Sequence, residues 1–290
     1  MKVIGKIIGI NTSDGGINLS VVNQKSEQLN IKTKDIQNFS VGHVYQFDVE
    51  ISYGERTSYI LKEYKSVALE ENAFEIYKDF FPSAPMDATS TKKIIYHALD
   101  QIKNPCIRNI TEVMLKQYGD KFFLFPAATR MHHAYVGGLA YHTVGMLKLA
   151  DSFLVNYPYL KKDYLYAGII LHDIGKTVEL TGVESTEYSL DGQLLGHLVI
   201  GALEIHKIAN ELGYQNNQEV KLLEHMLISH HGQPLYGAAK RPMTPEAIAL
   251  WYIDTIDSKF RVLGEELGKT EHNAFTDTIG VLDKIKVYKE

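Results

Sequence analysis

The sequence predicts an α+β chain in two unequal parts, a small N-terminal β-barrel over residues 1–66 and an all-α domain over residues 67–290. Three observations carry that expectation. Apolar residues alternate with period two through about residue 66. The strings "DGG", "VGH" and "YGE" punctuate that stretch as turns. Beyond it, apolar residues recur at helical spacing almost to the end of the chain.

The strand-like stretches are "KVIGKIIGI", "GINLSVVN", "SEQLNIKT", "HVYQFDVEIS" and "ERTSYILKEYKS". Five short strands in so few residues suit a closed barrel of the OB kind, which binds nucleic acid in many settings. Tyr45, Phe47, Tyr53, Tyr59 and Tyr64 are available there as stacking surfaces. Alternate aromatics on strands also fill barrel cores, so each ring has a structural reading beside the functional one.

The helical texture starts with "VALEENAFEIYKDFFP", and "FPSAP" breaks it once. Helices are expected near residues 69–81, 90–103, 107–118, 139–156, 163–175, 193–212, 217–231 and 244–266. Residues 67–130 read as a helical lead-in and 267–290 as a C-terminal tail. "YPYLKKDY" and "TGVESTEYSLDGQ" read as connecting loops. There is no internal repeat and no low-complexity tract.

Composition narrows the chemistry. Among 290 residues, 45% are apolar and 22% charged, as in ordinary globular proteins. Cys106 is the single cysteine, which excludes an internal disulfide framework and a thiolate zinc site; any metal must use histidine and carboxylate. No run reaches the roughly 20 apolar residues of a membrane span, so no membrane partner and a cytoplasmic location are expected. With a net charge of −5, nucleic-acid binding would have to rest on a local patch or on the active site itself. Homo-oligomerisation is left open.

The twelve histidines are best sorted by the helix face they occupy. His142 lies on the stripe Leu139, Met146, Phe153, and His197 on the stripe Leu194, Gly201, Ile205, Ile208. The stripe Val220, Leu223, Leu227 ends on His230, with His231 as its alternative. In "PEAIALWYIDTIDSKF", Asp254 shares the face of Ala247, Leu250 and Trp251. A lone histidine on an apolar face is most often a hydrogen-bonded core residue. Four helices that each deliver one ligand-type group inward are harder to explain that way.

"LHDIGK" follows the very apolar "DYLYAGII" and sets His172, Asp173 and Lys176 at the end of a buried helix. Burying ionised groups costs several kcal/mol unless they are paired or bound to metal. Neighbouring helix residues diverge by about 100°, so His172 and Asp173 can share a metal only at a helix end. A carboxylate can bridge two cations, which an imidazole cannot. Lys176 projects to the same side, as a site residue or as a solvated cation at a helix C-terminus.

The order His142, His172-Asp173, Asp254 resembles the HD-domain superfamily of metal-dependent phosphohydrolases. "HHAYVGGLAYHT", "ILHDIGKTVEL", "YSLDGQLLGHLVIG", "SHHG" and "TPEAIALWYIDTIDSKF" are more specific and resemble, over residues 70–265, the YhaM family of 3′-to-5′ exoribonucleases. The resemblance implies a hydrolase that takes single-stranded RNA to nucleoside 5′-monophosphates with two divalent ions. Mn²⁺ is favoured, and Fe or Mg²⁺ are the alternatives. It also implies His142, His172, Asp173 and Asp254 as the common ligands and His197 with His230 (or His231) as the additional ones.

Asp173 would bridge, and cations roughly 3.5–4 Å apart would acidify a water and clamp the phosphate. Asp173 and Lys176 are thus the candidate catalytic residues, Lys176 neutralising phosphate charge. Arg130, His132 and His133 before the first ligand helix, and Tyr236, Lys240 and Arg241 in "HGQPLYGAAKRP", are candidates for substrate contact. Asp257 reads as a supporting or surface group and not as a ligand. The competing expectations are an HD phosphohydrolase acting on small nucleotides, such as cyclic dinucleotides, dinucleoside polyphosphates or deoxynucleoside triphosphates, and a non-catalytic nucleic-acid-binding protein with a vestigial site.

Overall fold

A computed structural model describes residues 1–13, 16–34, 39–53, 58–70, 72–128 and 135–290. The chain divides into two compact units, Met1–Ser83 with Gly182–Thr186, and Ala84–Thr181 with Glu187–Glu290.

The first unit is built on β1 (Lys2–Ser13), β2 (Gly16–Asn23), β3 (Gln28–Thr33), β4 (Val44–Ser52) and β5 (Ser58–Ser66). They close into a barrel in the order β1-β2-β3-β5-β4. β3 and β5 pair in parallel and the other neighbours are antiparallel, with β4 returning to β1. This is a five-stranded OB-like closure. Period-two alternation does the work the sequence assigns to it: Ile17, Leu19, Val21 and Ile31 point inward with Val3, Ile7, Tyr45, Phe47 and Val49. A register shift between Ile7 and Gly9 turns Ile8 outward as a bulge.

The aromatics divide unevenly. Tyr45 and Phe47 are core residues, Tyr59 and Tyr64 pack partly buried against them, and Tyr53 is 83% exposed. Four of the five rings considered for stacking are therefore used by the barrel itself. The short helix α1 (Ala73–Tyr77) and the segment Gly182–Thr186 complete this unit. Glu184 holds that segment, accepting from the Val44 N–H at 2.7 Å and the Tyr77 hydroxyl at 2.9 Å, with His43 Nδ1 at 2.7 Å.

The second unit carries α2 (Ala88–Asp100), α3 (Pro105–Leu124), α4 (Gly138–Asn156), α5 (Lys162–Leu171), α6 (Lys176–Glu179), α7 (Leu190–Leu194), α8 (Gly196–Glu211), α9 (Gln218–Ser229) and α10 (Pro245–Lys269). Side-chain caps start several of them: Asp87 for α2, Asn104 followed by Pro105 for α3, and Thr244 followed by Pro245 for α10. The expected tail is partly ordered, with β6 (Ala274–Phe275) pairing with β7 (Tyr288–Lys289).

α5 explains the apolar run that ends on "HD". Leu165 to Leu171 are all buried, and the helix packs against α2, α3, α4, α9 and α10. A helix apolar on every side is one surrounded by others. Three expected helices are shorter than their patterns suggested, and the one near 69–81 is only the five-residue α1. The one near 163–175 stops at Leu171, so His172 to Gly175 form a turn between α5 and α6. The one near 193–212 breaks at Gly196, whose φ of 72° is a left-handed value that suits glycine.

Candidate metal centre

The turn after α5 aims His172 and Asp173 into the middle of the helical unit, and both are almost fully buried. Gly175 makes that placement possible. An added Cβ there would overlap the His197 carbonyl, so the turn and the start of α8 can approach only through glycine. α4 contributes His142, α8 contributes His197, the end of α9 contributes His230 and His231, and α10 contributes Asp254. Gly145 of α4 likewise leaves space for Asp257 and Arg261 of α10.

The two oxygens of Asp173 face different partners. Oδ2 lies 3.3 Å from His172 Nε2 and accepts a 2.7 Å bond from the Lys176 ammonium. Oδ1 lies 3.4 Å from His197 Nε2 and 3.7 Å from His230 Nε2. His142 Nε2 sits 3.1 Å from Asp254 Oδ1. Ligand-type atoms of His142, His172 and Asp173 fall within 4.8 Å of one another, and so do those of His197, His230 and His231. His231 thus stands beside His230 in one group, where the sequence offered it as the alternative.

All five imidazoles are held by the other ring nitrogen. Nδ1 of His172, His230 and His231 meets a backbone carbonyl, of Ile169 at 2.8 Å, Leu227 at 2.7 Å and Tyr236 at 2.8 Å. Nδ1 of His142 meets Asp257 at 2.8 Å, and Nδ1 of His197 meets Glu179 at 3.0 Å. Pinning Nδ1 in this way fixes the tautomer that leaves Nε2 as a ligand.

Metal fits these residues. Four buried atoms, Asp173 Oδ1 and the Nε2 atoms of His172, His197 and His230, lack a hydrogen-bond partner among the described residues. An unsatisfied buried polar atom costs about 1–3 kcal/mol, and three imidazole nitrogens converging on one carboxylate form with it a donor set for a cation. Imidazole nitrogen and carboxylate oxygen together suit a divalent transition metal.

Protonation favours coordination on one side more than on the other. Burial lowers His197, His230 and His231, which leaves them neutral near pH 7. Burial alone would lower His142 too, but its bonds to Asp254 and Asp257 outweigh it and raise the imidazole to about 9. Burial would raise Asp173, and Lys176 with His172 instead holds it well below the usual carboxylate range.

The remaining candidates fall at different places. Tyr236, Lys240 and Arg241 are exposed on the segment after α9, where the Tyr236 carbonyl positions His231. Arg130, His132 and His133 lie outside the described residues. Asp257 is buried and holds His142 while accepting from Arg261 Nε at 2.8 Å, a supporting place. Glu179 was missed by the sequence reading. Its signal is faint, a single carboxylate in the apolar "TVEL" just after Lys176.

The fold and the site define an HD-domain protein, and the HD domain family profile matches residues 139–259. The HD domain is a metal-dependent class, and this chain holds His/Asp groups able to bind a metal ion. Curated relatives named 3′-5′ exoribonuclease YhaM are similar over a longer stretch. The Geobacillus relative is 44% identical over 211 residues, 73% of this chain and 65% of its own length. The Bacillus licheniformis relative is 43% identical over 73% of this chain and 67% of its own, and the Bacillus pumilus relative 41% over 82% and 74%. This chain belongs to the YhaM family. It spans just under two thirds of the length of the Geobacillus relative. No solved structure matches it.

Proposed function

We propose that the protein is a metal-dependent 3′-to-5′ exoribonuclease that hydrolyses the terminal phosphodiester of single-stranded RNA to release nucleoside 5′-monophosphates. The observation that carries this reading is the set of unpartnered Nε2 atoms around Asp173, in a chain similar to relatives named exoribonucleases over 73–82% of its length. Asp173, His142, His172 and Asp254 hold one divalent ion and Asp173, His197, His230 and His231 a second, Mn²⁺ being the ion that this mixed donor set suits. Bound there, such ions supply an acidified water and charge stabilisation for the phosphate.

The chain's own residues do the rest. Asp173 presents one oxygen to each flank. The Lys176 side chain is 16% exposed and keeps its ammonium on Asp173 Oδ2, placing positive charge where the phosphoryl group gains negative charge. Tyr236, Lys240 and Arg241 offer a ring and two cations to a single strand. The barrel is a candidate grip for longer RNA, with its exposed surface and not its buried aromatics as the contact.

The test is direct. The protein is incubated with Mn²⁺ and, in parallel, 5′-labelled RNA, single-stranded DNA, a cyclic dinucleotide and a dinucleoside tetraphosphate. A ladder shortening from the RNA 3′ end supports the reading. Hydrolysis of a small nucleotide with RNA left intact would replace it by the small-nucleotide reading, and no hydrolysis at all by the binding-protein reading.

A further inference from the structure

Three of the five histidines at the site are positioned by backbone carbonyls, which no side-chain change can remove. The other two are positioned by carboxylates, one on each flank of Asp173. Asp257 holds His142, and Glu179 holds His197. Glu179 is buried on the four-residue helix α6, and one of its oxygens accepts twice from the same residue. Oε1 lies 3.0 Å from His197 Nδ1 and takes the His197 backbone N–H at 3.1 Å.

Two roles are available to such a carboxylate. The first residues of a helix have unpartnered N–H groups, and no side chain of the residue preceding α8 caps it, so Glu179 serves that helix end. The second contact goes further. A carboxylate on Nδ1 fixes which nitrogen faces the metal and makes that nitrogen a better donor. His197 Nε2 is in turn an unpartnered atom 3.4 Å from Asp173 Oδ1.

We infer that Glu179 is a positioning residue for the second cation, setting the affinity of the His197 flank independently of the His142 flank. The inference rests on the two-ion reading given above. Glu179 touches neither substrate nor reacting atoms. It acts through His197, as Asp257 acts through His142.

The experiment uses the full chain, stripped with chelator and titrated calorimetrically with Mn²⁺. E179Q keeps the size and the accepting oxygen, so the helix end stays satisfied while the charge on Nδ1 is lost. Wild type takes up two ions. E179Q weakens one of the two by about tenfold to a hundredfold and leaves the other unchanged. H197A weakens the same one, and E179Q combined with H197A loses no more than H197A alone. D257N provides the counterpart by weakening the other ion.

E179Q titrating like wild type overturns the inference while the two-ion reading stands. So does a double variant weaker than H197A alone, which would show that Glu179 acts on the site by a route other than His197. A wild type that takes up fewer than two ions removes the two-ion reading, and the inference falls with it.

Discussion

The two flanks of Asp173 are both built around histidines and differ in their protons. On one side, His142 is bracketed by Asp254 and Asp257 and stays an imidazolium up to about 9. On the other, His197, His230 and His231 are pushed down by burial and are neutral near pH 7. The comparison teaches that burial does not by itself decide whether a histidine is ready to bind metal. The balance between burial and the surrounding charges decides it: Asp254 and Asp257 outweigh burial at His142, whereas at His197 burial, with the Lys176 cation nearby, outweighs Glu179 and Asp173.

The largest effect comes from removing what the flanks share. Asp173→Ala should abolish uptake at both positions and lower hydrolysis by on the order of 10³-fold or more, with circular dichroism unchanged. An Asp173→Ala protein that still held one tight ion would break the bridge. Asp257→Asn should act on the first flank alone, weakening one Mn²⁺ by about tenfold to a hundredfold in a metal titration. Equal weakening of both ions would show that the flanks are not separable.

The pH dependence follows from the same difference. Metal needs neutral imidazole, so filling the first flank must expel the His142 proton below about pH 9. Affinity there should rise by about tenfold per pH unit up to that point. The second flank, with its histidines lowered below their ordinary value, should be flat above about pH 6.5. Calorimetry in buffers of different ionisation heat reads the released proton directly, and its absence would contradict the His142 assignment. The smallest effect belongs to neither flank. Tyr236→Ala should raise KM for RNA by a few fold, about 1 kcal/mol of lost stacking, with kcat and metal content unchanged.

Much of this was legible before any coordinates. Period two marked the barrel core, and the stripes of α4, α8, α9 and α10 carried His142, His197, His230 and Asp254 inward as expected. What the sequence could not give are relations between distant residues. Glu179 lies on a helix too short to show periodicity, and its partner His197 is 18 residues away. His172 and Asp173 belong to a turn and not to the helix their apolar neighbours suggested, because Gly175 lets α8 come close. The aromatic alternation on β4 and β5 reads the same whether the rings face a ligand or a barrel core, and here most face the core.

Crystals grown with Mn²⁺ and measured at the manganese edge test the central claim most directly. Two anomalous peaks are expected, one on each side of the Asp173 carboxylate. The first should lie among His142, His172 and Asp254, and the second among His197, His230 and His231. A single peak, or two peaks that do not share Asp173, would contradict the account.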